Sequence, residues 1–288
     1  MSNNQLESIH VMPGLFCNYT CTHCVNDSGP KMTKKISVNE IERVQNDIIE
    51  YKPKMLQFSG GESSFYDLEI NQLVKVHPEL ESCEVVLTSN GWYGKSSELT
   101  QKTLNKFDKI SKIILSFDVF HGNEAKIDYL ENIKEYARNK KINLVVSFCI
   151  SSPLDLIKAK TVLQDIDIPV IYQRVDSVGR AKSNNLGYNF PVFDKEVLKQ
   201  TCPNINCLSF VPDKGFSICC GNLMFNGNNT EIYHKSALEH FESQFFKGLK
   251  SKTFGQLLEE RNIPESQLKA QHSSACSLCE FIHCGELQ

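Results

Sequence analysis

Six short runs rich in Ile and Val, at 9–15, 55–59, 85–89, 113–117, 144–150 and 170–174, constrain this chain more than any other feature. Each has the length of a buried strand and lacks a polar alternate face, which is the pattern of a sheet covered on both sides. Helical patterns separate them. Ser37 with Glu40 makes a capping box, Asp67 is placed to cap a helix over 68–77, and Ser152-Pro153 puts proline at a first helical turn. Strand and helix in strict alternation need crossover connections, so the reading is α/β with a parallel sheet, either open and doubly wound or a barrel, whole or partial.

The rhythm stops after Gly179. Residues 183–188 are polar and turn-rich, 225–229 read as an Asn/Gly loop, and one helix is expected over 236–249. The predicted division is therefore a first domain over 1–184 and a smaller second one over 185–288. At 288 residues, 41% hydrophobic and 23% charged, the chain can bury a full core, which excludes intrinsic disorder and a small disulfide-stapled module. A net charge of -3 supplies no basic field for nucleic acid or anionic lipid. The polar start MSNNQLESIH lacks the form of a secretory signal and leaves little room for a separate peptide-binding winged helix, and no apolar run approaches a membrane span. A cytoplasmic protein is expected, with no nucleic-acid or membrane partner.

Twelve cysteines are the unusual number, and in a reduced cytosol they indicate metal or thiol chemistry rather than disulfides. Cys83 and Cys149 stand alone in apolar contexts and read as small buried hydrophobes. Cys17, Cys21 and Cys24 follow the first strand at C-x3-C-x2-C spacing. Three thiolates are one short of a closed zinc site but leave one iron of a [4Fe–4S] cube open to an outside ligand. A zinc site would have to borrow His23, or pair Cys21 and Cys24 with Cys276 and Cys279.

On these three cysteines and the strand count, the sequence resembles the radical SAM superfamily, whose fold is a partial (β/α)6 barrel. Further motifs fall at successive strand ends, where α/β folds place ligands. Gly60-Gly61-Glu62 looks like the GGE motif that meets the amino group of S-adenosylmethionine (SAM). Ser89, Asn90, Ser116, Asp118, Ser147 and Arg174, followed by Val178-Gly179-Arg180, resemble the family's ribose and carboxylate contacts, and His23 takes the place of an adenine-side aromatic. Taken singly, such residues also make ordinary turns and caps. The resemblance implies a 5'-deoxyadenosyl radical that abstracts hydrogen from substrate, and an external electron donor such as flavodoxin or ferredoxin.

The last third adds seven cysteines. Cys202 is followed after twelve residues by Gly215 and after four more by Cys220, and the tail reads Cys276-x2-Cys279-x4-Cys284. This is similar to the SPASM/twitch extension of peptide-modifying radical SAM enzymes, in its shorter twitch form. It implies one auxiliary [4Fe–4S] cluster, or two, with Cys202, Cys207, Cys220 and one of Cys276, Cys279 and Cys284 as ligands. A zinc ribbon in the tail is the competing reading. Cys219, beside a ligand, is a candidate hydrogen-atom donor, and Asp118, His121 and Cys149 are candidate bases or donors. The expected function is hydrogen abstraction from a ribosomally made peptide, giving epimerisation or a thioether or carbon–carbon crosslink. The alternatives are a radical SAM dehydrogenase of a small molecule, of the aminocyclitol type, and a zinc-binding adaptor without catalysis.

Overall fold

A computed structural model describes residues 6–75, 82–124, 126–164, 166–225 and 232–285. Its centre is one eight-stranded sheet in the order β6-β5-β4-β3-β2-β1-β7-β8. Strands β1 (Ser8–Val11), β2 (Met55–Phe58), β3 (Glu84–Ser89), β4 (Lys112–Ser116), β5 (Asn143–Ile150) and β6 (Val170–Arg174) pair in parallel, each beside its neighbour in sequence. The six expected strands are present, and the sheet is an unclosed, partial (β/α)6 barrel rather than an open doubly wound one.

Helices α1 (Val38–Tyr51), α2 (Asp67–Val74), α3 (Ser97–Leu104), α4 (Ile127–Lys140) and α5 (Pro153–Leu163) cover one face. That face supplies the core through alternate residues of successive strands: Ile9 and Val11, Leu56 and Phe58, Val85 and Leu87, Ile113 and Leu115, Val146 and Phe148. The intervening positions, among them Gln57, Thr88, Ser116, Ser147 and Cys149, point to the other face, and Gln57 Nε2 donates to Thr88 Oγ1 at 3.1 Å there. The strands are thus apolar toward the helices and mixed toward the barrel interior, which is where a ligand fits.

Local signals explain the boundaries. The Ser37 N–H donates to the Glu40 carboxylate at 2.8 Å, closing the capping box that starts α1. Pro153 opens α5 behind Ser152, whose N–H meets Asp155 at 3.1 Å. Asp67 is the first residue of α2 rather than its cap; Tyr66 holds the cap position, and residues 76–77 lie outside the described residues. The first strand ends at Val11, short of Leu15, because Pro13 has no N–H for a ladder and the segment turns to carry the cysteine loop.

The last third does not stand apart from the sheet. Strand β7 (Cys207–Val211) pairs in parallel with β1, and β8 (Gly215–Ser217) returns antiparallel to it. Short helices α6 (Gly179–Ser183) and α7 (Asn222–Phe225) flank this hairpin in sequence; of the loop expected over 225–229, only Phe225 is described. The single helix expected over 236–249 is two, α8 (Ala237–Glu242) and α9 (Gln244–Ser251), broken at Ser243, whose extended backbone lets its hydroxyl accept from Phe246 N at 3.1 Å. Helices α10 (Phe254–Glu260) and α11 (Ala275–Cys284) complete a second core around Ile218, Leu223, Phe254 and Leu278.

Phe210 of β7 is fully buried and packs edge-on against Phe216 of β8 at 4.9 Å. Phe210→Ala is expected to cost about 3–5 kcal/mol, read as a lower urea midpoint. A loss below about 1 kcal/mol would mean that the hairpin is not seated against β1 as described.

Candidate active site

The loop after β1 carries Cys17, Cys21 and Cys24, all three partly accessible and none in a disulfide. Its backbone is clamped from two sides. From the β2 end, Gly61 N donates to Gly14 O at 2.8 Å and Glu62 N to Phe16 O at 2.8 Å. A Cβ on Gly61 would stand 2.1 Å from Phe16 O, so the second glycine of the GGE motif serves close approach of backbone to backbone. Gly60, at φ +138°, turns its carbonyl to Asn26 Nδ2 at 2.6 Å and Ser28 Oγ at 3.3 Å. Glu62 is 1% exposed, and its carboxylate accepts from Ser64 N (3.0 Å), Ser89 Oγ (2.7 Å) and Asn90 N (2.7 Å). Burial raises its pKa while these donors pull the other way. The motif therefore ties the loops after β2 and β3 to the cysteine loop.

The second clamp comes from α6, far along the chain. The Arg180 guanidinium donates to Cys21 O at 2.9 Å, to Ser28 O at 2.6 Å and to Asp27 Oδ1 at 3.0 Å, and its backbone N–H meets Cys24 O at 2.9 Å. Gly179, at φ +54°, passes so close that a Cβ would lie 2.3 Å from Val25 O. Asn184 Nδ2 adds a bond to Thr22 O at 2.8 Å. Arg180 is thus placed on the cysteine loop itself.

The sulfurs have donors waiting. Tyr19 N–H points at Cys17 Sγ (3.4 Å), Ser28 N–H at Cys24 Sγ (3.4 Å) and Asn90 Nδ2 at Cys17 Sγ (3.6 Å). Without a cation beside it, burial pushes the Cys17 thiol up to about 12. N–H donors aimed at sulfur suit thiolates bound to iron, where hydrogen bonds to sulfur offset charge and tune potential. The residues present fit a cluster with three protein ligands.

Beside the loop, Asp118 organises a buried group. His121 Nδ1–H donates to Asp118 Oδ1 at 2.8 Å, Phe120 N–H to the same oxygen at 2.9 Å, and Cys149 N–H to Oδ2 at 3.4 Å; His23 Nε2 is 3.5 Å from Oδ2. Burial works against charge on His121, but Asp118 and Cys21 hold the imidazole up at about 10, and the histidines in turn hold Asp118 low. Burial lowers His23, whose Nδ1 has no hydrogen-bond partner among the described residues and whose ring lies 5.0 Å from Phe120. On β5, Ser147 Oγ donates to Gln173 Oε1 at 3.2 Å, and Ser116 is its pairing partner on β4. Arg174, at the end of β6, stacks on the Tyr188 and Phe190 rings at 5.0 Å each.

The C-terminal cysteines meet in a second place. Cys202, Cys219, Cys220, Cys276 and Cys279 line a small chamber of about 20 Å³, with Ile218, Leu223, Phe254 and other apolar side chains. Gly221 is required there, since a Cβ would fall 2.6 Å from Cys276 Sγ. Burial raises every one of these thiols, Cys219 to about 11 and Cys276 to about 12, and Asn204 Nδ2 donates to Cys220 Sγ at 3.0 Å. Cys207 lies near enough to Cys220 to raise it further, and Cys284 near enough to raise Cys279.

Among the described residues, the trio of His, Cys, Asp or Glu ligand atoms within 4.8 Å of one another is His23, Asp118 and Cys149. Cys149 is thus not the plain buried thiol its apolar context suggests. Neither the Arg180 clamp nor the Asp118 group follows from local pattern, since both join residues far apart in sequence.

Residues 11–147 match the model of the Radical SAM superfamily, and the cysteine loop, the GGE motif and Asp118 all lie inside the match. No curated protein matches it. Among solved structures, it resembles SuiB of Streptococcus suis bound to the precursor peptide SuiA, with a TM-score of 0.58 at 11% identity over 90% of this chain and 74% of that one. It also resembles BtrN in complex with AdoMet and 2-DOIA, with a TM-score of 0.51 at 13% identity over 94% of this chain and 97% of that one. At these identities the likeness is one of fold. No helix among the described residues is long and apolar enough to cross a membrane.

Proposed function

We propose that this protein is a radical SAM enzyme acting on a ribosomally made peptide, with residues 1–184 as the SAM-binding barrel and 185–288 as a twitch-like extension holding an auxiliary cluster. The observation that carries the enzyme reading is the cysteine loop clamped by the GGE strand and Arg180, with N–H donors aimed at its sulfurs. A [4Fe–4S] cluster held there supplies, with SAM and an electron from a donor such as flavodoxin or ferredoxin, a 5'-deoxyadenosyl radical. The chain's own part is to hold Cys17, Cys21 and Cys24 together, to keep water out, and to orient SAM between the strand ends through Ser89, Asn90, Ser116, Ser147, Arg174 and His23.

The peptide reading draws on the open edge of the sheet. Among the described residues strand β6 has no partner on its outer side, and Ile171 and Tyr172 on it are 41% and 46% exposed. An uncovered edge strand is a template for pairing an extended chain, as in β-augmentation. The small-molecule reading draws on length: the chain matches BtrN nearly end to end.

Cys219 lines the chamber with its Sγ 3.8 Å from Gly221 O, which supports assigning it to the auxiliary cluster with Cys202, Cys207, Cys220 and the tail cysteines in place of the hydrogen-donor role. Hydrogen return then falls to Cys149, on the barrel-interior face beside Asp118 and kept protonated by burial. In deuterated solvent an epimerase yields product one mass unit heavier, whereas crosslinking or dehydrogenation removes two hydrogens. Cys149→Ala is expected to abolish deuterium incorporation with SAM cleavage retained. Incorporation that survives in Cys149→Ala but is lost in Cys219→Ala returns the role to Cys219.

A further inference from the structure

The N–H donors described above reach the sulfurs of Cys17 and Cys24, whereas Cys21 hydrogen-bonds to a side chain, the His121 imidazole. His121 lies in the turn Val119–Glu124 after β4, which folds back over the cysteine loop. Thr22 N–H donates to Phe120 O at 3.4 Å, and the His121 ring centroid stands 6.3 Å from that of Tyr19 and 5.3 Å from that of His23, edge-on to both. The imidazole is buried, so packing holds it over the loop.

Its Nδ1 is 2.8 Å from Asp118 Oδ1, which leaves Nε2 as the nitrogen toward Cys21. The Asp118 carboxylate also accepts from Phe120 N–H at 2.9 Å and from Cys149 N–H at 3.4 Å, surroundings that suit its ionised form, which only accepts. Nδ1 is therefore the donor toward Asp118. The other nitrogen faces a sulfur that, as an iron-bound thiolate, accepts as well, so the ring lies between two acceptors and donates to both. We infer that His121 is the hydrogen-bond donor to the Cys21 sulfur and sets the potential of the N-terminal cluster, with Asp118 as the residue that positions its ring. A charge-assisted donor on a ligand sulfur favours the reduced, more negative cluster and so raises its potential. Burial strengthens the effect, because little water screens the bond. Asp118 and His121 thus act at the cluster rather than as base or hydrogen donor toward substrate. The inference rests on the enzyme reading above and deepens it, naming residues that make the cluster easier to reduce.

The test is an anaerobic potentiometric titration, read by electron paramagnetic resonance, of the reconstituted full chain as wild type, His121→Gln and Asp118→Asn. Iron is measured on each sample, and the N-terminal cluster is identified as the signal that changes when SAM is added. His121→Gln, which keeps the bulk but loses the charge-assisted donor, is expected to retain its iron and to shift the reduction equilibrium about tenfold toward the oxidised cluster, about 59 mV lower for one electron. Asp118→Asn is expected to shift it in the same direction, since the ring loses the carboxylate that holds it. An unchanged potential in His121→Gln with full iron would overturn the inference, and a shift there that Asp118→Asn does not share would remove Asp118 from it. Should one variant lose the loop iron, the other carries the test; loss in both would make His121 a packing wedge for the loop and overturn the tuning role. A wild type with no SAM-responsive iron signal loses the enzyme reading, whereas one whose signal ignores both substitutions loses only this inference.

Discussion

The protein with Cys17, Cys21 and Cys24 all replaced by alanine is expected to produce no detectable 5'-deoxyadenosine from SAM under reducing conditions, while keeping about four iron in the C-terminal chamber. The reason lies in the separation of the two thiol sets. The N-terminal three sit on a loop whose carbonyls are held by Gly61, Glu62 and Arg180, and five of the seven C-terminal cysteines line an apolar chamber built from α7, α9, α10 and α11. The chamber has a core of its own in Ile218, Leu223, Phe254 and Leu278, and meets the start of the loop segment only where Cys219 packs in one cluster with Met12 and Leu15. A loss of all iron in the variant would mean that the two sites fold as one.

Arg180→Ala is the second variant with a large expected effect. Its guanidinium satisfies Cys21 O, Ser28 O and Asp27 Oδ1, and without it Ser28 O loses its charged donor while Cys21 O keeps only the 3.3 Å bond from Cys24 N–H. Hydrogen bonds to a charged donor are each worth roughly 1.5–3 kcal/mol, so the folded loop becomes a minor conformer. Reconstituted Arg180→Ala is expected to fall from about eight iron toward about four, with chain stability outside the loop little changed. Arg180→Lys is expected to recover part of the iron at most, because a single ammonium cannot reproduce the planar fork that spans the three oxygens. Full iron content in Arg180→Ala would show that the GGE strand alone holds the loop.

Much of the barrel was legible because each strand's apolar run is local. Runs such as 85–89 and 170–174 lie within a residue of β3 and β6, and the Ser37 and Ser152 caps stand where their residue types place them. What escaped was non-local or very short. Strand β8 is three residues long and β7 five, and both gain their place only by pairing with distant β1 or with each other. Ser243 breaks a helix that reads as continuous, since a serine that accepts from the N–H three residues on starts a new helix as readily as it sits inside an old one. Cys276 and Cys279 look like a loop ribbon but lie one turn apart on α11, facing the chamber.

The site divides in the same way. The cysteine spacing and the GGE glycines are readable as a string, but the partners of Glu62 are not. Its carboxylate is taken by Ser64, Ser89 and Asn90, two of which arrive from the end of β3. Arg180 is separated from Asp27 by 153 residues, and only the closure of β6 and α6 over the loop brings them together. Asp118 and Cys149 meet because β4 and β5 are neighbours, a relation that strand order supplies and the sequence of either strand alone does not.

The most direct measurement is the iron, acid-labile sulfide and zinc content of the anaerobically reconstituted wild-type protein. About eight iron with matching sulfide, in a brown sample free of zinc, is the predicted result, one cluster for the N-terminal loop and one for the chamber. Zinc without sulfide, in a colourless sample, would contradict the account and leave the barrel as the frame of a metal-binding protein that performs no radical chemistry.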